Sequence, residues 1–353
     1  VAKKYSRVMI YAVGLIFVLM GIFYSKIVSN FDVSGTVSLL VRILFLGVGI
    51  SLLIMPNIFY RVIIFFGFIG MALLSFSLVQ NIYNLFTKPE AVSSVGLVLP
   101  FEVKGAIHVP FFYWIISLFI IALVHEFAHG IITRAHKIEV KSSGFAFLAA
   151  LVPIIPAAFV EPDEKVLKKR PRKQQLSVFA AGPFANIVLA FLTIVLAYLV
   201  ISPISDNMLE NKGIKIIDFI EGDYQIQKTG MPKGEIIQEI DNKKVLTVSD
   251  LSMLLQNKTP GTEIRLKTNA SVYNVILAKN PKDASKGYLG VKLQQKTDIK
   301  DSFKEKFGNF IPNAIIWIAG LFYWLIILNL GIGLFNLVPI GPLDGGRMLQ
   351  LVL

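Results

Sequence analysis

Two histidines and a glutamate interrupt an apolar stretch of the chain, LVHEFAHGII at residues 123–132. On a helix, His125 and His129 lie one turn apart on the same face, so both imidazoles can reach one metal ion. Zinc suits such nitrogen ligands, and a catalytic zinc site adds a third protein ligand and keeps one position open for water. Glu126 lies beside that face, where its carboxylate can act as general base toward zinc-bound water that attacks a carbonyl group. The pattern therefore predicts metal-assisted hydrolysis.

The alternative for this motif is a chance match in a core helix. The residues from Phe111 to Thr133 otherwise read as a membrane-spanning helix. Ionisable side chains inside a span cost about 3 kcal/mol each on insertion scales and are functional by default. Three of them within five residues need a compensating partner, and a metal ion supplies one. These considerations favour the metal site.

A third ligand must come from elsewhere in the chain. His108 lies at the opposite end of the same segment and His136 lies past its near end, so we interpret both as ordinary polar residues. Asp344 is the only acidic residue between Glu305 and Leu353, and it lies in FNLVPIGPLDGGRM, after an apolar segment. Prolines break the helix there and glycines let the backbone approach closely, so the carboxylate can turn toward a metal. The alternative is a cap on a following helix, but the unfilled zinc site favours ligation.

The composition places these residues in a membrane. The 353-residue chain is 54% hydrophobic and 16% charged, with a mean hydropathy of +0.65, which a soluble core cannot accommodate. A spanning helix needs about 20 apolar residues. Six segments are predicted as spans, the first in preference to a signal peptide: Val8–Tyr24, Val37–Met55, Val62–Val79, Phe111–Thr133, Leu176–Ile201 and Pro312–Phe335.

The absence of cysteine and the net positive charge exclude further classes of site and partner. The chain has no cysteine, which excludes disulfides, thiolate zinc sites and a catalytic thiol. The formal net charge of +12 is explained by the positive-inside bias of membrane proteins. No basic face with interleaved aromatic residues occurs, so nucleic-acid binding is not expected.

Basic residues near the span ends predict an orientation. Lys3, Lys4 and Arg7 precede the first span, so the N-terminus is expected in the cytosol. Alternation of the spans then brings the basic loop at residues 165–173 to the cytosolic side, in agreement with its charge.

The apolar stretch SSGFAFLAALVPIIPAAFVEPDE, at residues 142–164, has both ends on the cytosolic side in this topology. Pro153 and Pro156 make it a poor helix. We interpret it as a re-entrant loop or a β-hairpin that dips into the membrane, where such backbone must pack on protein or face a wet cavity.

Residues 211–295 have the composition of a soluble domain. Five short strands are predicted there from GIKIIDFI, GEIIQEIDNKKV, TEIRLKT, SVYNVILA and GYLGVKL, together with a short helix from VSDLSMLLQN. This is expected to be one small α+β domain outside the cytosol.

Three motifs together, HEFAHG, AAGPFAN at residues 180–186 and NLVPIGPLDGGR at residues 336–347, resemble the site-2 protease family of intramembrane zinc metalloproteases. The order of helices and insert is also similar, and the resemblance extends from about residue 111 to 353. It implies one catalytic Zn²⁺ bound by His125, His129 and Asp344, with Glu126 as the base.

The same resemblance implies roles for two asparagines. Asn186 and Asn336 would stabilise the oxyanion or bind the substrate backbone, as a carboxamide donor can. Hydrogen bonding between helices is an equally open alternative for each. The insert resembles a bacterial-type PDZ domain, in which GYLGV around Gly290 would be the carboxylate-binding loop.

The sequence is therefore interpreted as a polytopic α-helical membrane protein with a small α+β, PDZ-like extracytoplasmic insert. Its predicted parts are N-terminal transmembrane helices at 1–110, the first part of the catalytic membrane core at 111–205, the PDZ-like domain at 211–295 and the second part of the core at 310–353. The expected partners are transmembrane protein substrates, the lipid bilayer and a peptide or substrate terminus near Gly290.

Two other readings remain at this point. A membrane-bound prenyl-protein-processing protease also carries a His-Glu-x-x-His helix, but it takes a glutamate as third ligand, and no second suitable glutamate lies in a span. A metal transporter or PDZ scaffold would not need Glu126, and a transporter would carry more polar residues across its spans.

Overall fold

The computed structural model describes residues 2–28, 35–55, 58–88, 96–103, 106–149, 153–222, 224–281 and 283–353. The chain divides into two compact units. The helical unit consists of residues 1–202 and 316–353, and the sheet unit consists of residues 203–315.

Helices dominate the chain. In chain order they are α1 (Ala2–Val28), α2 (Gly35–Ile54), α3 (Phe59–Thr87), α4 (Phe111–Ala135), α5 (Glu164–Lys168), α6 (Arg172–Leu196), α7 (Ser202–Met208), α8 (Gln225–Lys228), α9 (Val248–Leu255), α10 (Asp301–Phe307), α11 (Phe310–Phe335) and α12 (Asp344–Gln350). A π-helical turn at Ala197–Ile201 joins α6 to α7.

All six segments predicted as spans are helical. Within the described residues, α3, α4, α11 and the continuous stretch Arg172–Met208 are long and apolar enough to cross a membrane. Shorter apolar helical segments lie within α1 and α2, at Ile10–Tyr24 and Val41–Ile54. The prediction of a polytopic helical membrane protein with an inserted α+β region is confirmed.

The strands are β1 (Val98–Leu99), β2 (Ile107–His108), β3 (Val140–Ala149), β4 (Pro153–Pro162), β5 (Leu209–Phe219), β6 (Ile236–Ile240), β7 (Lys243–Lys244), β8 (Glu263–Thr268), β9 (Val272–Ile276), β10 (Ala278–Lys279), β11 (Gly287–Tyr288) and β12 (Val291–Ile299).

The apolar stretch after α4 is a β-hairpin, which was one of its two predicted forms. β3 and β4 pair antiparallel, with Ser143 opposite Val160. The tip at residues 150–152 lies outside the described residues. The three prolines of β4 are tolerated because each strand of a two-stranded sheet is an edge strand. β4 lies against α4, where Gly130 has no side chain and an added Cβ would contact Val160 at 3.4 Å.

The N-terminal helices pack around α6. The ring of Phe184 on α6 stacks on Phe17 of α1, with centroids 6.1 Å apart. Phe59 and Phe66 of α3 contact the same ring at 6.2 and 5.8 Å. These rings belong to one buried apolar cluster that includes residues of α4, α6 and α12. The segments for which the sequence offered no motif therefore form the packing surface behind α6.

The sheet unit has a six-stranded antiparallel sheet. Its strand order is β12-β5-β6-β8-β9, and β7 pairs with β6. Alternate residues of β8 are buried, as expected for a strand with one face on a core. The strands and the helix α9 lie where the sequence predicted them.

A capping box begins α9, with Thr247 and Asp250 bonding reciprocally to each other's backbone N–H groups. The backbone N–H groups of Thr247 and Leu246 lower the pKa of Asp250.

Candidate metal centre

α4 holds the two histidines close together. Both residues are buried, at 8% exposure each, and their Nε2 atoms are 3.1 Å apart. Asp344 Oδ2 lies 3.1 Å from His125 Nε2 and 3.3 Å from His129 Nε2. The three ligand atoms all lie within 4.8 Å of one another, as a group that can hold a metal ion requires. The structure thus brings together the three side chains that the sequence predicted as ligands, which we call the His-His-Asp cluster.

Asp344 reaches the histidines because the chain turns back after α11. Gly345 donates its N–H to the Asn336 carbonyl at 2.8 Å, and a Cβ at Gly345 would overlap the carbonyl group of Leu337. Only glycine fits this close approach. The N-cap position of α12 is Leu343, with no side-chain cap. The Asp344 carboxylate therefore faces the histidines and does not cap the helix.

Each histidine has a second partner at Nδ1. His129 Nδ1 lies 2.7 Å from the Val178 carbonyl oxygen, which only accepts, so Nδ1 carries the proton and donates. Its Nε2 is then left with a lone pair for a metal. His125 Nδ1 lies 3.1 Å from Asn186 Nδ2. The His129 contact is the outer hydrogen bond by which metal-ligating histidines are held.

Gly182 of α6 faces the ligand atoms. A Cβ at this position would overlap His129 Nε2 and lie 2.5 Å from His125 Nε2. The sequence places Gly182 in the motif AAGPFAN but does not reveal this role. Two imidazole nitrogens and one carboxylate oxygen are a zinc donor set, and Gly182 keeps space open beside them. The residues present therefore fit a zinc ion.

Gly182→Ala is expected to weaken zinc binding by roughly tenfold or more, the range seen when the surroundings of ligating histidines are altered. The added methyl group would displace the two imidazoles from their present positions. Zinc affinity of the purified protein, measured by competition with a chelator, checks this.

Gly331→Ala is the matched control, because nothing lies within 4 Å of a Cβ added at Gly331 in α11. Equal zinc affinities for the two variants would mean that Gly182 does not guard the ligand atoms.

Glu126 lies on the rim of the His-His-Asp cluster. Its Oε2 accepts a hydrogen bond from the backbone N–H of Val160 on β4, at 3.1 Å. A cavity of about 550 Å³ opens onto Glu126 and the cluster. Its wall also includes charged and polar side chains, namely Glu164, Lys168, Gln175, Arg347 and Gln350. A polar wall of this kind can admit water.

The two predicted asparagines occupy different places. Asn336 lines the cavity beside the cluster. Asn186 is fully buried in α6 and contacts His125 from behind. Asn329 of α11 is also fully buried, and neither of its amide atoms has a hydrogen-bond partner among the described residues.

The remaining histidines lie apart from the cluster. His108 is exposed in β2. His136 follows α4, with its Nε2 2.7 Å from Ser177 Oγ and its ring packed against Tyr60 at 4.6 Å. Neither belongs to the His-His-Asp cluster, in agreement with their interpretation as ordinary polar residues.

Residues 113–353 match peptidase family M50. An uncharacterized protein of Methanocaldococcus jannaschii is 32% identical over 237 residues, which are 67% of this chain and 56% of that protein. A Clostridium acetobutylicum protein, provisionally named a zinc metalloprotease, is 21% identical over 66% of this chain and 83% of its own length. The regulator of sigma-W protease RasP of Bacillus subtilis is 23% identical over 54% of this chain and 53% of its own length.

The chain thus spans little more than half the length of the Methanocaldococcus and Bacillus relatives. Among solved structures, the PDZ domain of the SdrC-like protein from Listeria monocytogenes aligns with a TM-score of 0.21 and 16% identity. The alignment covers 23% of this chain and 86% of that domain.

Proposed function

The chain belongs to peptidase family M50, the site-2 protease family of membrane zinc metalloproteases, and we propose that it hydrolyses peptide bonds within the transmembrane segments of other membrane proteins. The observation that carries the proposal is the His-His-Asp cluster with Glu126 beside it. Both histidines and Glu126 lie on α4, a helix long and apolar enough to cross a membrane.

His125, His129 and Asp344 would hold the zinc ion, which when bound polarises a water molecule and lowers its pKa to about 7. Glu126 lines the same cavity, and its carboxylate would take a proton from that water and deliver it to the leaving amine. Asn336 lines the same cavity and offers an amide donor to a developing oxyanion. The polar cavity wall would admit the water that the reaction consumes.

A substrate helix hides its carbonyl groups in i→i−4 hydrogen bonds and must unwind before attack. The hairpin offers a place for the unwound segment. The Val160 N–H points away from β3 and toward Glu126, so this edge of β4 faces the cluster. We propose that the substrate adds there as a strand, which brings an extended backbone beside the zinc ligands.

The sheet unit offers a second peptide site, which we propose as the PDZ-like function of the insert. A cavity of about 530 Å³ is lined by Leu251 and Leu255 of α9 and by the chain around Gly290. Gly290 has a φ of +74°, a conformation that favours glycine. β12 is the end strand of its sheet in the described part of the chain, so its outer edge can accept a substrate terminus.

The proposed orientation puts the N-terminus and the loop at residues 165–173 in the cytosol and the insert outside. Because the chain has no cysteine, single introduced cysteines report their side directly. Cysteine at Lys243 should react with a membrane-impermeant maleimide in intact cells, whereas cysteine at Lys169 should react only after permeabilisation. Both positions are exposed. The reverse pattern would overturn the orientation.

The function is tested with the purified protein in liposomes together with a reporter that has a single transmembrane helix. Mass spectrometry of the products should place the cut within the apolar segment. A zinc chelator should stop cleavage and added Zn²⁺ should restore it. Cuts confined to the soluble parts of the reporter would contradict the proposal.

A further inference from the structure

Asn186 lies behind His125 and outside the cavity. It is fully buried in α6, and its amide nitrogen is 3.1 Å from His125 Nδ1. The residues that line the catalytic cavity include Asn336 but not Asn186. Its Oδ1 has no hydrogen-bond partner among the described residues. The Asn186 carboxamide therefore contacts the His125 ring on the side that faces away from the cluster.

We propose that Asn186 is a positioning residue that fixes the His125 ring for metal binding and does not touch the reacting carbonyl. The proposal rests on the zinc site of the proposed function. An oxyanion donor must lie about 3 Å from the position that the oxyanion will occupy. Asn186 instead contacts Nδ1, while the opposite ring nitrogen, Nε2, faces Asp344 at 3.1 Å.

The carboxamide can pair with either tautomer of the ring. With the amide oriented as in the structure, Asn186 Nδ2 can only donate, so Nδ1 accepts and the proton of a neutral His125 ring lies on Nε2, toward Asp344. A metal needs the Nε2 lone pair, so the proton of the neutral ring moves to Nδ1 and requires an acceptor. A half-turn of the amide presents Oδ1, the atom that has no partner, in place of Nδ2. One side chain thus holds the ring in the same orientation in both states.

This reasoning explains why an amide occupies the position. A carboxylate would also accept from Nδ1–H, as in the carboxylate–histidine–zinc arrangement. Without metal it would instead be a second buried charge close to Asp344, and burying an unpaired charge is costly. Asn186→Asp should therefore preserve zinc binding while lowering the stability of the metal-free protein.

Three variants test the assignment by zinc affinity and by the visible absorption of the Co²⁺-substituted protein, which reports ligand geometry. Asn186→Leu removes the hydrogen bond and should weaken zinc binding by about 10- to 100-fold and change the Co²⁺ spectrum. Asn186→Asp should bind zinc within a few-fold of the unaltered protein and should still cleave the reporter. Asn329→Leu is the matched control, another buried asparagine in the same helical unit, and should leave zinc affinity unchanged.

Normal zinc affinity and a normal Co²⁺ spectrum in Asn186→Leu, with slower cleavage, would overturn the proposal in favour of contact with the substrate. Normal zinc binding with abolished cleavage in Asn186→Asp would do the same, because a carboxylate repels an oxyanion. If Asn186→Leu does not fold, Asn186→Asp decides: retained zinc affinity and cleavage support the proposal, and lost zinc affinity overturns it.

Unaltered protein that binds zinc but does not cleave would refute the proposed function alone, because the metal measurements still test the role of Asn186.

Discussion

Glu126→Gln should abolish cleavage of a reporter transmembrane helix while the zinc content of the protein stays the same. The amide cannot take a proton from water, and a positioned general base contributes about 10²- to 10⁴-fold to the rate. The substitution keeps the size of the side chain and an oxygen that can accept the Val160 N–H, so the hairpin contact survives. Initial cleavage rates and metal analysis of the same preparations test this expectation.

A matched control lies on β4 itself. Glu161 is exposed and accepts a hydrogen bond from Ser142 Oγ at 2.6 Å, away from the cluster. Glu161→Gln removes one carboxylate charge from the same strand, outside the cavity lining, and should change the rate by no more than a few-fold. Cleavage by Glu126→Gln at a rate close to that of Glu161→Gln would show that Glu126 is not the base.

Asp344→Asn should weaken zinc binding by about 100-fold or more, beyond the 10- to 100-fold effect of altering a partner of a ligand. Its carboxylate is the one anionic group in the His-His-Asp cluster, with Oδ2 about equally close to both histidines. A neutral amide oxygen at the same place offers a weaker ligand. Metal stoichiometry after dialysis against a weak chelator measures the loss, and cleavage should fall with it.

Asp301→Asn serves as the control, since Asp301 is exposed at the start of α10 in the sheet unit. It removes the same charge without touching the cluster. If Asp344→Asn bound as much zinc as the control, Asp344 would not be a zinc ligand. Its role would then be limited to the structure at the start of α12.

The local pattern of the sequence predicted most of the metal centre. His125 and His129 share a helix, so their spacing alone fixed their common face. Asp344 could be predicted as a ligand only from the missing third ligand of the distant histidine pair, because a residue before a helix is more often a cap. In the structure Leu343 occupies the cap position, so Asp344 is not the cap, and its role as a ligand stays a prediction.

Other parts of the site depend on contacts that no local pattern contains. The Val178 carbonyl that accepts from His129 is a backbone group, so its residue type carries no signal. Gly182 matters because it has no side chain where α6 packs against the two histidines of α4, and that contact exists only in the folded structure. The role of the N-terminal helices follows from their rings around Phe184, and apolar residues of a membrane helix do not indicate which neighbour they contact.

The hydrogen bond from Val160 to Glu126 gives the proposed mechanism a built-in order of events. In this mechanism, a strand that docks on β4 accepts a hydrogen bond from the Val160 N–H through one of its own carbonyl groups. The Glu126 carboxylate then loses its contact with Val160 and can face the water. In this mechanism, substrate binding and the release of Glu126 both involve the same donor, the Val160 N–H. Before the substrate docks, one oxygen of Glu126 would stay bonded to the hairpin, and docking would free it.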